Sequence, residues 1–390
     1  MFDYVSYARN LRHELHQYPE IGFDLPKTLA IVRRELDGMG IPYTEQYGKS
    51  SIVGTINPGK NFAIALRADM DALPMQEQSK NPYPSQIDGQ MHACGHDVHT
   101  AQLLAVAHQL KDMEQNLRCT VKLLFTPAEE YITPGCEKMV QDGVTDEFDC
   151  AIACHCHPGI PVGQIGLCDG GINANSMGIV AEFFGKSAHA HSQQKGVDAI
   201  RMAVQAYTAL ELMAAREIAS GEPIVYNIGA FNGGVTNNVV CDYVKMFISS
   251  RSWSDEVTDF MERRTREICE NTAAMCGGSA KVTVTKLLPY VKNDHIMVGQ
   301  LRQTAANLLG EENIIPLARS MGGEDFAFIS RKKPSVLFRL GVTNPDDPTD
   351  TAYPLHNVRF DADERCFDTG IRVFVNFVLD HQDGIQFLGG

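Results

Sequence analysis

The 390-residue chain has no basic stretch, and its 34 Lys and Arg are outnumbered by 48 Asp and Glu, for a net charge of -14. Nucleic acid and anionic membrane surfaces are thereby excluded as main partners, since both are held through clustered cations. Long apolar runs are missing as well. The longest, AIACHCH and VFVNFVL, are too short to cross a bilayer. The N-terminal MFDYVSYARNLRHELHQ lacks the apolar core of a secretory signal, so a cytoplasmic protein is expected. No internal repeat or low-complexity segment interrupts the chain. Disulfide-type spacing is also absent: the 11 cysteines are odd in number and suit a reducing compartment with buried free thiols. Cys119, Cys150, Cys241, Cys269, Cys276 and Cys366 lie in apolar surroundings and read as packing.

What is present is an ordinary globular composition, 44% hydrophobic and 21% charged, in a chain long enough for two or three domains. Helical spacing of apolar residues predicts helices over 3–18 and 26–38, between the breakers YPEIGFDLP and DGMGIP. Strand-like stretches follow in SSIVGTI, FAIALRADM and, after a helix at about 98–113, CTVKLLFTPAEE. FDCAIACHCH is a further short strand. This alternation indicates an α/β layered structure. Residues 177–287 read differently, as strand, helix, strand, strand, helix, strand. The first helix, about 196–217, carries Val197, Ile200, Val204, Tyr207 and Leu210 on one stripe. That order is the split βαβ arrangement of a small domain inserted into the first. Helix and strand alternation resumes after Pro289 and ends in an amphipathic helix near 362–381.

The stretch MHACGHDVH, residues 91–99, crowds three histidines, a cysteine and an aspartate together. A Cys-x-His pair cannot hold a catalytic metal alone. A hydrolytic metal site draws its donors from several elements, usually at strand ends, and keeps one position open for water. Four other segments adjoin apolar runs and carry such donors: RADMDALP (67–74), TPAEEY (126–131), CHCHPG (154–159) and YPLHN (353–357). On an extended backbone Glu129 and Glu130 point in opposed directions and serve two different jobs. His155 and His157 would share a strand face, which leaves the choice between them open. Taken singly, each segment also reads as a solvated turn.

Together and in order, LRHELHQYPEIGFD, LRADMDALP, MHACGHDVHTAQLL, FTPAEE, the H-x-x-P-x-x-P-x-G of residues 155–163, GKSAHA, GGEDFAF and the late His356 resemble one family. It is the co-catalytic metallopeptidase superfamily of aminoacylases and carboxypeptidases. The branch is that of the amidohydrolases: hippurate hydrolases, indole-acetyl-amino-acid hydrolases, N-acetyl-diaminopimelate deacetylases and aminobenzoyl-glutamate hydrolases. The resemblance implies an α/β fold, with a mixed-sheet α/β/α catalytic domain of residues 1–176 and 288–390. A βαββαβ, ferredoxin-like domain of residues 177–287 would be inserted as lid and dimerisation domain.

It also implies two divalent metal ions, zinc, manganese, cobalt or nickel, on Cys94, His96, Glu130, His155 and His356, with the thiolate bridging. The Pro158 and Pro161 spacing selects His155 over His157. Glu129 would be the general base, and Asp71 would orient a ligand. Asp69 stands where many relatives outside the branch place a ligand histidine. His92 and His99 would be hydrogen-bonded supports. Asp97 would be either a supporting partner or, as the preferred reading, the cap of the helix that follows. In the lid, His189 would reach the active site of a second subunit and stabilise the oxyanion, while Asn238 and Arg251 would hold the substrate carboxylate. Gly322, Gly323 and Glu324 would close one side of the pocket. Two departures lie in the lid: AHAHSQQ where relatives read GHAAxPH, and NVVCD where NVIPD is common. His191 is therefore a candidate to share the contacts of His189.

The function so implied is hydrolysis of the amide of an N-acyl amino acid, a small-molecule substrate, by a homodimer that binds neither nucleic acid nor membrane. The alternative on the same site is a metallo-dipeptidase or carboxypeptidase. A Cys94 nucleophile is set aside because it leaves Glu129, Glu130 and His356 unused. A non-catalytic binder is set aside because each ligand and base position holds a competent residue.

Overall fold

The structure, a computed structural model, describes residues 2–346 and 353–387. Two compact units form. The first takes the chain up to Ile172, Val291–Arg319 and the residues from Asp325 on; the second takes Asn173–Tyr290 with Ser320–Glu324. No helix among the described residues is long and apolar enough to cross a membrane.

The first unit opens with helices α1 (Tyr4–Gln17) and α2 (Pro26–Met39) and strands β1 (Tyr43–Thr44), β2 (Ile52–Ile56) and β3 (Ala63–Asp69). Asp3 caps α1 by accepting from the Ser6 N–H, and Pro26 starts α2 where a missing N–H costs nothing. Helix α3 (His96–Asp112), β4 (Thr120–Thr126), α4 (Gly135–Gln141), β5 (Cys150–Pro161), β6 (Ile165–Leu167) and β7 (Gly170–Asn173) follow. In the second unit β8 (Asn175–Phe184), α5 (Ala199–Arg216), β9 (Val225–Gly233), β10 (Tyr243–Ser252), α6 (Asp255–Met275) and β11 (Ser279–Leu288) run in sequence. The chain then returns with β12 (Val291–Asn293), α7 (His295–Leu309), β13 (Ile314–Pro316), α8 (Ala327–Ser330), β14 (Ser335–Thr343) and α9 (Cys366–His381).

Eight strands of the first unit make a mixed sheet in the order β1-β2-β4-β3-β5-β14-β6-β13. Its centre, β4, β3, β5 and β14, is parallel, while β2 and β6 run antiparallel to their neighbours β4 and β14. Central parallel strands are covered on both faces and so read as continuous apolar runs. Alternate residues of β5 serve the two faces: Ile152, Cys154 and Cys156 join the core under α1, α3 and α9, and Ala151 and Ala153 join the core around α4 and α8. Helix α3 is buried almost around its whole circumference from His96 to Ala107.

The second unit is an antiparallel sheet in the order β11-β8-β10-β9, with α5 and α6 on one face. This is the ferredoxin-like pattern. Two expectations fail in detail. Of the stripe read on α5, Leu210 is buried and Val197 is partly buried, but Ile200, Val204 and Tyr207 are 39%, 50% and 40% exposed. The core is filled instead by Met202, Ala203, Ala206, Leu210 and Met213, because flexible Met and small Ala allow the helix to sit close to the sheet. The last helix starts at Cys366 rather than near 362, because Asp361 and the Ala362 carbonyl are taken by Arg12.

Candidate metal centre

Parallel strands side by side bring their carboxyl ends, and the loops that leave them, to one rim of the sheet. At that rim β3 runs on to Asp71, β4 into the turn that carries Glu129 and Glu130, and β5 through His155. The loop before α3 adds Cys94, and His96 opens the helix. Gly95 between them has φ +82°, and a Cβ there would lie 2.8 Å from Cys156 Sγ, so the approach of this loop to β5 requires glycine. His356 enters from the loop after β14, its N–H donating to the Ala93 carbonyl at 2.9 Å.

Several sets of potential donor atoms lie within 4.8 Å of one another, and two of them share one sulfur: Cys94, His96 and His155 in one, and Cys94, Glu130 and His356 in the other, while Asp69, His96 and His99 make a further set. Cys94 Sγ lies 3.4 Å from His155 Nε2, and Glu130 Oε1 lies 2.8 Å from His356 Nε2. Glu129 joins His96 and Glu130 in another such set. The two glutamates are therefore not opposed. The strand ends at Thr126, Ala128 takes a left-handed φ of +55°, and a turn follows. Asp71 holds that turn: its Oδ1 accepts from the Glu129 N–H at 2.9 Å and its Oδ2 from the Glu130 N–H at 3.1 Å. His356 is also left-handed, at φ +62°. Backbone of this kind on residues with a Cβ costs about 1–3 kcal/mol and gathers where geometry has a use.

The donor set fits a divalent cation. His96 is fully buried, yet among the described residues neither of its ring nitrogens makes a hydrogen bond, although Asp71 Oδ1 lies 3.5 Å and Asp69 Oδ2 3.8 Å away. Glu130 Oε1 is buried too, and its one close contact among the described residues is the ion pair with His356 Nε2 at 2.8 Å. Buried polar atoms are nearly always paired, and an ion is one of the few partners that satisfies several at once. Burial, reinforced by Glu130, drives the Cys94 thiol well above its ordinary range, and burial holds the His155 imidazole well below its own. Both shifts work against charging these groups in isolation, and a bound cation favours the thiolate and the neutral ring.

Behind the donors lies an ion network that the motif reading passed over. His99 Nε2 accepts from the Cys156 N–H at 2.9 Å, which puts the ring proton on Nδ1, 2.5 Å from Asp69 Oδ1. Arg67 Nη1 grips Asp69 Oδ2 at 2.6 Å, and Arg67 also pairs with Asp325, whose Oδ2 accepts from the Cys136 N–H. Asp69 is thus saturated by Arg67 and His99. Arg67 and Asp325 sit inside motifs already noted, RADMD and GGEDF.

Two supporting assignments change. Asp97 is not the cap of α3: Gly95 holds that place, no side chain caps it, and Asp97 is buried, with Oδ2 2.8 Å from His16 Nδ1 and 3.1 Å from Arg12 Nε. His92 is buried with no hydrogen bond on either ring nitrogen among the described residues, and burial lowers its pKa to about 3. His157 is half-buried, its Nδ1 accepting from the Gly159 N–H, and it joins no donor group.

In the second unit His189 and Asn238 lie together, with His189 bridged to Val239 and the Ala190 N–H donating to the Asn238 carbonyl at 3.0 Å. Arg251, on β10, has no carboxylate partner among the described residues, and burial alone lowers its pKa. A Cβ on Gly323 would come within 4.0 Å of Arg251 Nη1, and the Gly322 and Gly323 carbonyls are held by Asn173.

A model of peptidase family M20/M25/M40 matches residues 65–380. An N-acetyl-L-cysteine deacetylase of Bacillus subtilis is 34% identical over 91% of this chain and 83% of its own. An Arabidopsis thaliana protein named IAA-amino acid hydrolase ILR1-like 4 is 31% identical over 88% and 78%. Among solved structures, a Bacillus subtilis protein described as a dinuclear metal binding peptidase of the M20 family is 28% identical and superposes with a TM-score of 0.86 over 98% of this chain and 99% of its own.

Proposed function

The chain belongs to peptidase family M20/M25/M40, and from that premise we propose that it is a binuclear metal-dependent amidohydrolase that cleaves N-acyl amino acids to a carboxylate and a free amino acid. The observation that carries this reading is the pair of donor groups joined through Cys94, with Glu129 beside them. The names of the deacetylase and the IAA-amino acid hydrolase, whose matches span most of both chains, favour an N-acyl amino acid over a dipeptide.

Cys94, His96 and His155 would hold one ion, and Cys94, Glu130 and His356 the other. Once bound, such ions acidify a water and polarise an acyl carbonyl. The Glu129 carboxylate takes the water proton and hands it to the departing amine nitrogen. Asp71 keeps Glu129 and Glu130 in register through their backbone N–H groups. The Arg251 guanidinium, with no acidic partner among the described residues, is suited to the substrate carboxylate, with Asn238 and the Gly323 loop to complete the grip. His189 would donate to the oxyanion from the second unit of a partner subunit. The exposed Ile200, Val204 and Tyr207 on α5, with Val225 and Phe231 on the edge strand β9, support dimerisation through the second unit.

The test is hydrolysis of N-acetyl, N-benzoyl and indole-acetyl amino acids, aminobenzoyl-glutamate and simple dipeptides by metal-reconstituted enzyme beside Glu129→Gln. Turnover of acyl amino acids that vanishes in the variant at unchanged metal content is expected. Turnover of dipeptides alone moves the substrate class, and full activity in Glu129→Gln removes the base.

A further inference from the structure

His191, which replaces a small residue of the usual lid motif, lies against the ring of His189. The two rings meet edge to face with centroids 4.3 Å apart. The His191 N–H donates to His189 Nδ1 at 3.3 Å, and His191 Nδ1 lies 2.7 Å from the same atom. A main-chain amide has only a proton to offer, so the nitrogen that receives it is bare. Two ring nitrogens at hydrogen-bond distance share one proton, and with His189 Nδ1 already accepting, that proton sits on His191. A neutral imidazole has one N–H, and in His189 it is therefore at Nε2. The backbone around the pair is fixed: the Val240 N–H donates to the Ala188 carbonyl at 2.8 Å and the Ser192 N–H to the His189 carbonyl at 2.8 Å.

We propose that His191 is a positioning residue that sets the tautomer and ring orientation of His189, leaving Nε2–H as its one free donor. The proposal rests on the reading that His189 stabilises the oxyanion, because a neutral ring performs that task only through its single N–H. It gives the departure AHAHSQQ a chemical use: the main-chain N–H of residue 191 reaches His189 Nδ1 only at a long 3.3 Å, and the extra histidine adds a second, closer donor at 2.7 Å that a small residue at this position lacks.

Ring-nitrogen NMR of histidine-labelled, metal-loaded enzyme tests it, with His189→Ala identifying the His189 signals. In wild type, His189 is expected to carry its proton on Nε2. His191→Asn keeps a donor near the Nδ1 position and preserves that tautomer, with kcat within about 3-fold. His191→Asp offers an acceptor instead, draws the proton to Nδ1 and lowers kcat on the order of 100-fold, the loss typical of one oxyanion donor, with little change in KM. A wild-type ring protonated at Nδ1, or a tautomer unmoved by His191→Asp, overturns the proposal. So does unchanged turnover in His191→Asp when His189→Ala is inactive. If His189→Ala itself turns over normally, the oxyanion reading fails, and the spectra alone still decide the tautomer.

Discussion

His96, His99 and His155 of the first unit are buried among acids and a thiol, whereas His189 and His191 of the second are exposed and have each other for company. The first unit surrounds its polar cluster with its own core: Arg67, Asp69 and His99 behind, Asp71 beneath the glutamate turn, Arg12 and His16 on Asp97. The second unit leaves Arg251 without an acid among the described residues and a row of large apolar side chains exposed. One chain thus keeps Cys94, His96 and His155 of its donor cluster buried and its lid histidines exposed.

Mutations in the buried half are expected to hit hardest. Glu129→Gln should lower kcat about 10²–10⁴-fold, the range for a lost general acid and base, with metal content by elemental analysis unchanged. Arg12→Met leaves Asp97 with His16 alone and takes the guanidinium from Asp361, and should cost about 3–5 kcal/mol, as breaking a buried ion pair does, read by denaturant unfolding. Asp71→Asn should lower metal affinity or activity about 10–100-fold while the fold survives, the size expected when the support behind a ligand is weakened.

The same network sets a pH dependence. Burial opposes charge on His16, but Asp97 and Glu77 prevail and lift its pKa from 6.5 to about 9. Its folded pKa lies above its unfolded one, so the stabilisation is complete below pH 6.5 and is lost as pH rises through about 9. The gap in Tm between wild type and His16→Gln should therefore close between those limits. On the exposed half, Val204→Asp should change folding stability by no more than about 0.5 kcal/mol, as surface substitutions do, while gel filtration shows monomer and turnover falls. A dimer that survives this substitution would mean that α5 is not the contact.

Much of the first unit was readable because its signals are local. Apolar runs marked β3, β4 and β5, breakers marked the ends of α1 and α2, and the donor residues sit just beyond those runs. The stripe on α5 misled because hydrophobicity alone does not say which face meets the core: Ala203 and Ala206 pack closely, and the larger Ile200, Val204 and Tyr207 face out. Asp97 misled because a carboxylate at a helix start is usually a cap, and its true partners on α1 are 81 and 85 residues away. Asp69 and Arg67 were in plain view, but only the fold brings Asp325, 258 residues on, to the same guanidinium.

The sequence by itself determined the kinds of donor, their order, the α/β alternation and the inserted small unit, since propensity, periodicity and chemical type are properties of neighbouring residues. Only the tertiary structure decided which donors share Cys94, that Asp71 holds both glutamates through their N–H groups, and that His191 Nδ1 comes within 2.7 Å of His189 Nδ1. Those are distances between residues separated by turns or by many elements, and a distance exists only once the strands have paired.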